Sequence, residues 1–341
     1  MTTPLPAQSH TPASIPAPTT LTENLDNFVV PLTGPIDFTA SLEMFRRNGD
    51  DLLDRWDGAT LIRTLPVGDR SVAFACAPEG TAAAPALCVV VADQAYRATI
   101  EQALQRMFPA APPDFAALCQ RDPVIEQLAA RYPGLRPVLQ FDLLAALVRS
   151  ISAQQVNLRW ASTTRRRLAE AFGDWHTFGP AGAQGSWEVY SLGAATLAAA
   201  DPAALRALQF TTRKAEYIVG VAQAIASGDL DVTQLATLPD DAVIARLSAL
   251  RGIGRWTAEW ILARTLGRPR VVAGDLGVRK AVGIAYLSGL GDPLPSEDAV
   301  REATAHWGAS ALVAQTLLLH GLAEGGLEEF NMLHLKYPDV R

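Results

Sequence analysis

The chain has 341 residues, 49% of them apolar and 19% charged, a composition that excludes a disordered or fibrous protein and leaves room for two domains. Three widely spaced cysteines (Cys76, Cys88 and Cys119) and five scattered histidines exclude a four-thiolate iron–sulfur cluster, a C-x-x-C redox pair and an H-E-x-x-H zinc site. The net charge of −6 does not exclude a polyanionic partner, because it is unevenly spread. Residues 1–58 hold three arginines against eight acids, whereas 251–280 hold seven basic residues against Glu259 and Asp275. Arg149, Arg159, Arg165, Arg166 and Arg167 form a second basic island with no acid between 149 and 169.

In chain order, residues 1–27 read as a disordered tail, rich in Pro, Ser and Thr. The tail lacks the basic and apolar regions of a secretory signal, and no apolar run reaches membrane-spanning length. A cytoplasmic protein with no membrane contact is expected. Residues 28–112 read as a small α+β domain. Its strands are expected over Ala59 to Leu65, Ser71 to Ala77 and Ala86 to Val91, and its helices over Asp37 to Arg47 and Tyr96 to Met107. Three prolines between Pro109 and Pro113 mark its end.

From 113 to 335 the periodicity is helical almost throughout. Phe141, Leu144, Leu147, Val148 and Ile151 make one stripe, and Val156, Trp160, Thr164, Leu168 and Phe172 the next. Asp201-Pro202 reads as an N-cap and first helical residue, and Tyr217, Ile218, Val221 and Ile225 as a further stripe. Asp240 to Leu247 forms a helix, Gly252-Ile253-Gly254 a tight turn, and Arg255 to Leu266 a second helix that Gly267 and Pro269 end. Twelve helical residues advance about 18 Å. The seven extended residues from Arg268 to Gly274 return about 23 Å. The carboxylate of Asp275, at the start of a third helix, therefore comes back towards the glycine turn. A turn whose amides can press on a phosphate then sits near a fixed acid, an arrangement suited to work on DNA.

These residues carry a resemblance. Leu250-Arg251-Gly252-Ile253-Gly254-Arg255-Trp256-Thr257-Ala258 followed by Asp275 resembles the helix-hairpin-helix superfamily of DNA glycosylases, specifically the bacterial 3-methyladenine DNA glycosylase II group. Ser152-Ala153-Gln154-Gln155-Val156 is similar to that group's strand-wedging segment. Thr212-Arg213-Lys214-Ala215 is similar to its link into the next helix, and Pro35-Ile36-Asp37-Phe38 to the start of its N-terminal domain. The resemblance covers roughly residues 28–325, with the hairpin at about 240–266. The chain departs from the group at Trp307-Gly308-Ala309-Ser310-Ala311-Leu312, where relatives often read W-x-P-x-R-S, and at Leu319, where they often place an aromatic residue.

The resemblance implies a mainly helical glycosylase architecture with a small α+β N-terminal domain. It also implies a monomeric enzyme that flips an alkylated base out of double-stranded DNA and hydrolyses its N-glycosidic bond. Asp275 would be the catalytic carboxylate; by itself an Asp at a helix start is an N-cap, and the two roles are compatible. Trp256 and Trp260, four apart on one helix face, suit either core packing or, with Leu319, the wall of a base pocket. Arg251, Gly252, Ile253, Gly254, Arg255, Thr257 and Lys280 would contact DNA, together with Gln154 and Gln155, and Gln155 would fill the space the extruded nucleotide leaves. The triplet Arg165 to Arg167 reads as a solvated helix face. By the resemblance, the backbone carbonyls of Ser248, Leu250 and Ile253 hold a monovalent cation, Na+ or K+; no other cofactor is expected. Bifunctional relatives carry a lysine two residues after the second hairpin glycine; here that residue is Trp256. Two alternatives stay open: a glycosylase preferring uracil or an oxidised purine, and a non-catalytic helix-hairpin-helix DNA-binding protein.

Overall fold

The computed structural model describes residues 27–179, 187–287 and 293–327. The expected tail lies outside the described residues up to 26, as does the expected end of the helical region beyond 327.

The N-terminal domain runs β1 (Asn27–Pro31), α1 (Phe38–Arg47), β2 (Asp54–Trp56), β3 (Leu61–Val67), β4 (Arg70–Gly80), β5 (Pro85–Val91) and α2 (Arg97–Met107). The strands form one antiparallel sheet in the order β1-β5-β4-β3-β2, with Phe28 opposite Val89 and Leu61 opposite Cys76. Leu87, Val89 and Val91 on alternate positions of β5 face a core shared with Phe38, Leu42 and Phe45 of α1 and Ile100, Leu104 and Met107 of α2. The Asp37 carboxylate caps α1 by accepting the Ala40 amide at 2.9 Å.

The helical region runs α3 (Phe115–Arg121), α4 (Pro123–Arg131), α5 (Leu143–Ala153), α6 (Leu158–Phe172), β6 (Gly173–Phe178), β7 (Trp187–Leu192), α7 (Ala194–Ala198), α8 (Pro202–Ala207), α9 (Thr212–Ala226), α10 (Val232–Thr237), α11 (Asp240–Ser248), α12 (Arg255–Arg264), α13 (Leu276–Tyr286), α14 (Glu297–Thr304) and α15 (Ala311–Ala323). One core gathers α5, α6, α9, α11 and α12 through Leu147, Leu168, Ile218, Leu247 and Ile261; a second gathers α4, α13 and α15 through Leu128, Val282 and Leu317. The segment after α12 that returns to Asp275 passes from the first core to the second. No helix of the described residues is long and apolar enough to cross a membrane.

Two expectations need correction. The stretch after Pro113 is not helical throughout: β6 and β7 pair as an antiparallel hairpin, with Phe178 opposite Trp187. Its Phe178 and Val189 pack on Ile62, Ala73, Ala75 and Val90, the sheet face turned away from α1 and α2. The sheet is thus covered on both sides, which accounts for the near-continuous apolar run of β5.

The second correction concerns charge. Arg165 is not on a solvated face; it is buried, and its Nε donates to Asp51 Oδ2 at 2.8 Å. Arg149 bridges Asp51 at 3.0 Å and Asp54 at 2.8 Å, and Arg63 closes the network on the other oxygen of Asp54. Part of the acidic N-terminal segment is therefore spent on part of the first basic island, across the contact between domains. Arg166 and Arg167 do stay at the surface, on Glu170 and on the Trp160 ring respectively.

Candidate active site and nucleic-acid interface

The helix-hairpin-helix forms from α11, the turn 249–254 and α12. Gly252 sits at φ +87, and a Cβ there would come within 2.1 Å of the Tyr217 ring, so both backbone and packing demand glycine. Gly254 is different. A Cβ there would meet nothing within 4 Å, so no protein neighbour excludes a side chain, and the space in front of it is open. Gly254 is also the N-cap of α12 and offers no side-chain acceptor. The first amides of α12 thus begin a helix with no cap, which is the arrangement that receives an anion.

Other hairpin residues divide. Arg251 is exposed and lies 3.3 Å from Glu216. Arg255 is exposed over about half its side chain and donates to Glu259. Ile253 is buried and its amide is used within the turn, donating to the Leu250 carbonyl at 3.1 Å, so it does not project to DNA. Thr257 is also fully buried. Its side chain faces the core, so the group it has to offer DNA is its backbone amide, one of the first of α12.

The return segment 265–274 is pinned from α15, where buried Gln315 accepts the Val272 amide at 2.7 Å. Asp275 then opens α13, and its Oδ1 accepts the Val278 amide at 3.0 Å. Its second oxygen, Oδ2, accepts two indole N–H groups, from Trp256 at 3.2 Å and Trp260 at 3.3 Å. The chain does return as the length arithmetic requires, and it lands on the first turns of α12. The two tryptophans are half-buried beside Ala263, Val272 and Leu312, so packing and function coincide: their rings pack and their N–H groups orient the acid. Arg264 stacks over the Trp260 ring at 5.5 Å. Burial brings its guanidinium down to about 10, against the pull of the Asp275 charge.

Gly277 was not singled out from sequence. A Cβ there would lie 3.1 Å from Asp275 Oδ1 and 3.2 Å from Leu319 Cδ2, closer than ordinary contact, so Leu319 and the carboxylate both crowd position 277. Trp307, by contrast, is no pocket wall. It is fully buried and donates to Asp122 Oδ2, an oxygen that also accepts from Tyr286 and contacts His306.

Gln155 lies in the loop between α5 and α6, exposed and at φ +56, a left-handed conformation uncommon outside glycine. Gln154 does not reach outward; its Nε2 donates to the Gly252 carbonyl at 3.0 Å and ties this loop to the hairpin turn. Lys214, in α9, donates to the Ser152 carbonyl at 2.9 Å in the last turn of α5. Lys280 is exposed on α13.

Residues 148–308 match the family described as HhH-GPD superfamily base excision DNA repair protein. That match lies in the helical part of the chain and spans a little under half of its length. The chain is 29% identical over 202 residues to a DNA-3-methyladenine glycosylase of Bacillus subtilis, covering 57% of this chain and 61% of that one. It is 32% identical over 140 residues to DNA-3-methyladenine glycosylase 2 of Escherichia coli, covering 40% and 46%. The chain therefore spans less than two thirds of the length of these curated relatives. A solved 3-methyladenine DNA glycosylase from Archaeoglobus fulgidus superposes with a TM-score of 0.75 at 22% identity, over 87% of this chain and 98% of that one, and shares the fold.

The two indole donors to Asp275 make a specific expectation. Replacing both Trp256 and Trp260 with Phe keeps the rings and removes both bonds to the carboxylate. Hydrogen bonds to charged groups contribute about 1.5–3 kcal/mol each. If the rate feels about half of their sum, the double variant loses roughly 10- to 100-fold in single-turnover base release while duplex affinity stays near wild type. An unchanged rate would mean that the indoles do not position Asp275.

Proposed function

We propose that the chain is a monofunctional DNA glycosylase that hydrolyses the N-glycosidic bond of alkylated bases of the 3-methyladenine type in double-stranded DNA, the first step of base excision repair. The observation that carries this is the Asp275 carboxylate, fixed by a helix N-terminus and two indoles beside a helix-hairpin-helix. Alkylation at a ring nitrogen makes the base cationic and already a good leaving group, so the protein has chiefly to extrude it and to stabilise positive charge on the sugar. A carboxylate bonded to two indoles, with Leu319 close by at Gly277, suits that task, and aromatic rings favour a cationic base. Gln155, exposed, left-handed and directly after a residue tied to the hairpin turn, suits insertion into the stack. The Ser248, Leu250 and Ile253 carbonyls are hard oxygen donors at the hairpin turn, a set that fits Na+ or K+; Leu250 accepts the Ile253 amide and keeps its second lone pair. Chromatography of bases released from methylated genomic DNA tests the reading: free 3-methyladenine should accumulate with enzyme, and none above the spontaneous rate would overturn it.

The reaction should leave the strand intact. The position two residues after Gly254 is Trp256, which has no nucleophilic amine, and Lys214 is occupied with the Ser152 carbonyl. Borohydride added during turnover should trap no covalent complex, and strands should break only after alkali. A trapped complex lost in Lys280→Ala would place a lysine at the sugar instead.

A further inference from the structure

Glu259 lies on α12 with no exposed surface, and its Oε1 accepts from three arginines supplied by three segments. Arg255 Nε reaches it at 3.0 Å from the start of α12, Arg270 Nη2 at 3.2 Å from the return segment and Arg301 Nη1 at 3.0 Å from α14. Its other oxygen, Oε2, is buried without a partner. Burying a carboxylate is costly unless it is paired, and here one oxygen carries all the pairing. The three arginines are not equivalent. Arg301 is committed twice, since its Nη2 also donates to Glu297 at 3.0 Å. Arg255 and Arg270 each give Glu259 one N–H and keep their other nitrogens, with side chains 54% and 25% exposed.

Three cations against Glu259 and Glu297 leave one positive charge, which a single phosphodiester neutralises. Guanidinium forks match phosphate oxygens, and a fork whose other end is already fixed loses less freedom on binding. Location points the same way. Arg255 follows Gly254 directly and precedes Trp256, which donates to Asp275, while Arg270 lies on the segment that delivers Asp275.

We propose that Arg255 and Arg270, held on buried Glu259 with Arg301 as its third support, form a two-arginine clamp for one backbone phosphate of bound DNA, in addition to the hairpin amides. The clamp rests on the DNA reading above. The test is the salt dependence of affinity for a duplex carrying a stable abasic-site analogue, with Arg270→Gln, which keeps a donor for Glu259, and Arg270→Lys, which keeps the charge. Losing one phosphate contact lowers the slope of log K against log salt by about 0.9, so the deficit of Arg270→Gln should narrow about 3.5-fold between about 50 and about 200 mM salt. Arg270→Lys should keep the wild-type slope, as should Arg106→Gln at an exposed position of α2. An unchanged slope in Arg270→Gln would reduce the cluster to a structural tie and overturn the clamp, whether or not affinity falls. Wild-type protein that fails to bind duplex at all would instead remove the DNA reading itself.

Discussion

Asp275→Asn is expected to abolish base release, by roughly three orders of magnitude or more, while leaving duplex affinity within a few-fold. Asn fills the same volume, and its Oδ1 can still accept the Val278 amide at the start of α13, where Asn caps as well as Asp does. The helix, the return segment and the two tryptophans therefore stay in place. What is lost is a full negative charge, which in the proposed reaction offsets the positive charge that develops on the sugar as the base departs. A neutral amide dipole cannot replace it, and its NH2 group would face two indole donors that presently point at Oδ2. Single-turnover release of methylated bases measures the effect, with affinity followed on an abasic-site duplex. Activity within tenfold of wild type would remove Asp275 from the chemistry.

That residue was legible in sequence because two short-range rules converged on it: a glycine turn between two helices, and a return segment long enough to bring the next helix start back. The strands expected over 59–65, 71–77 and 86–91, which form at 61–67, 70–80 and 85–91, and the cap at Asp201 followed from equally local signals, alternation and Asx capping. Contacts made by distant segments were not legible. Arg165 sits in a basic run with every mark of a solvated helix face, and only the fold brings Asp51 to it. Thr257 belongs to a DNA-contacting motif by pattern, yet its helix turns it inward. Gln154 and Gln155 look alike in sequence, and the left-handed backbone at 155 sends one to the surface and leaves the other bonded to Gly252. The hairpin β6–β7 was hidden among helical stripes, although Trp187-Glu188-Val189-Tyr190 has a strand's aromatic and β-branched composition.

The Asp51 network gives the N-terminal domain a physical role. Arg149 and Arg165, its partners, lie on α5 and α6, the helices that flank the loop bearing Gln155. The small domain therefore braces the segment proposed to enter the DNA stack. Breaking a buried pair by deleting one partner strands the other, at about 3–5 kcal/mol. Asp51→Ala leaves two guanidinium groups without this acceptor and should lower the melting temperature by roughly 10 °C, since each kcal/mol corresponds to a few degrees in a protein of this size. The pH dependence identifies the cause. Burial alone would raise the Asp51 carboxyl, but the charges of Arg149 and Arg165, with hydrogen bonds from Arg165 and the Leu53 amide, bring it down to about 2. A folded value below the unfolded one, near 4, means that the contribution is complete above that range and fades as pH falls towards 2. The gap in melting temperature between wild type and Asp51→Asn should accordingly be constant above about pH 5 and close progressively below pH 4. A gap that persists undiminished at the acid end would show that shape and hydrogen bonding at position 51, rather than its charge, hold the two domains together.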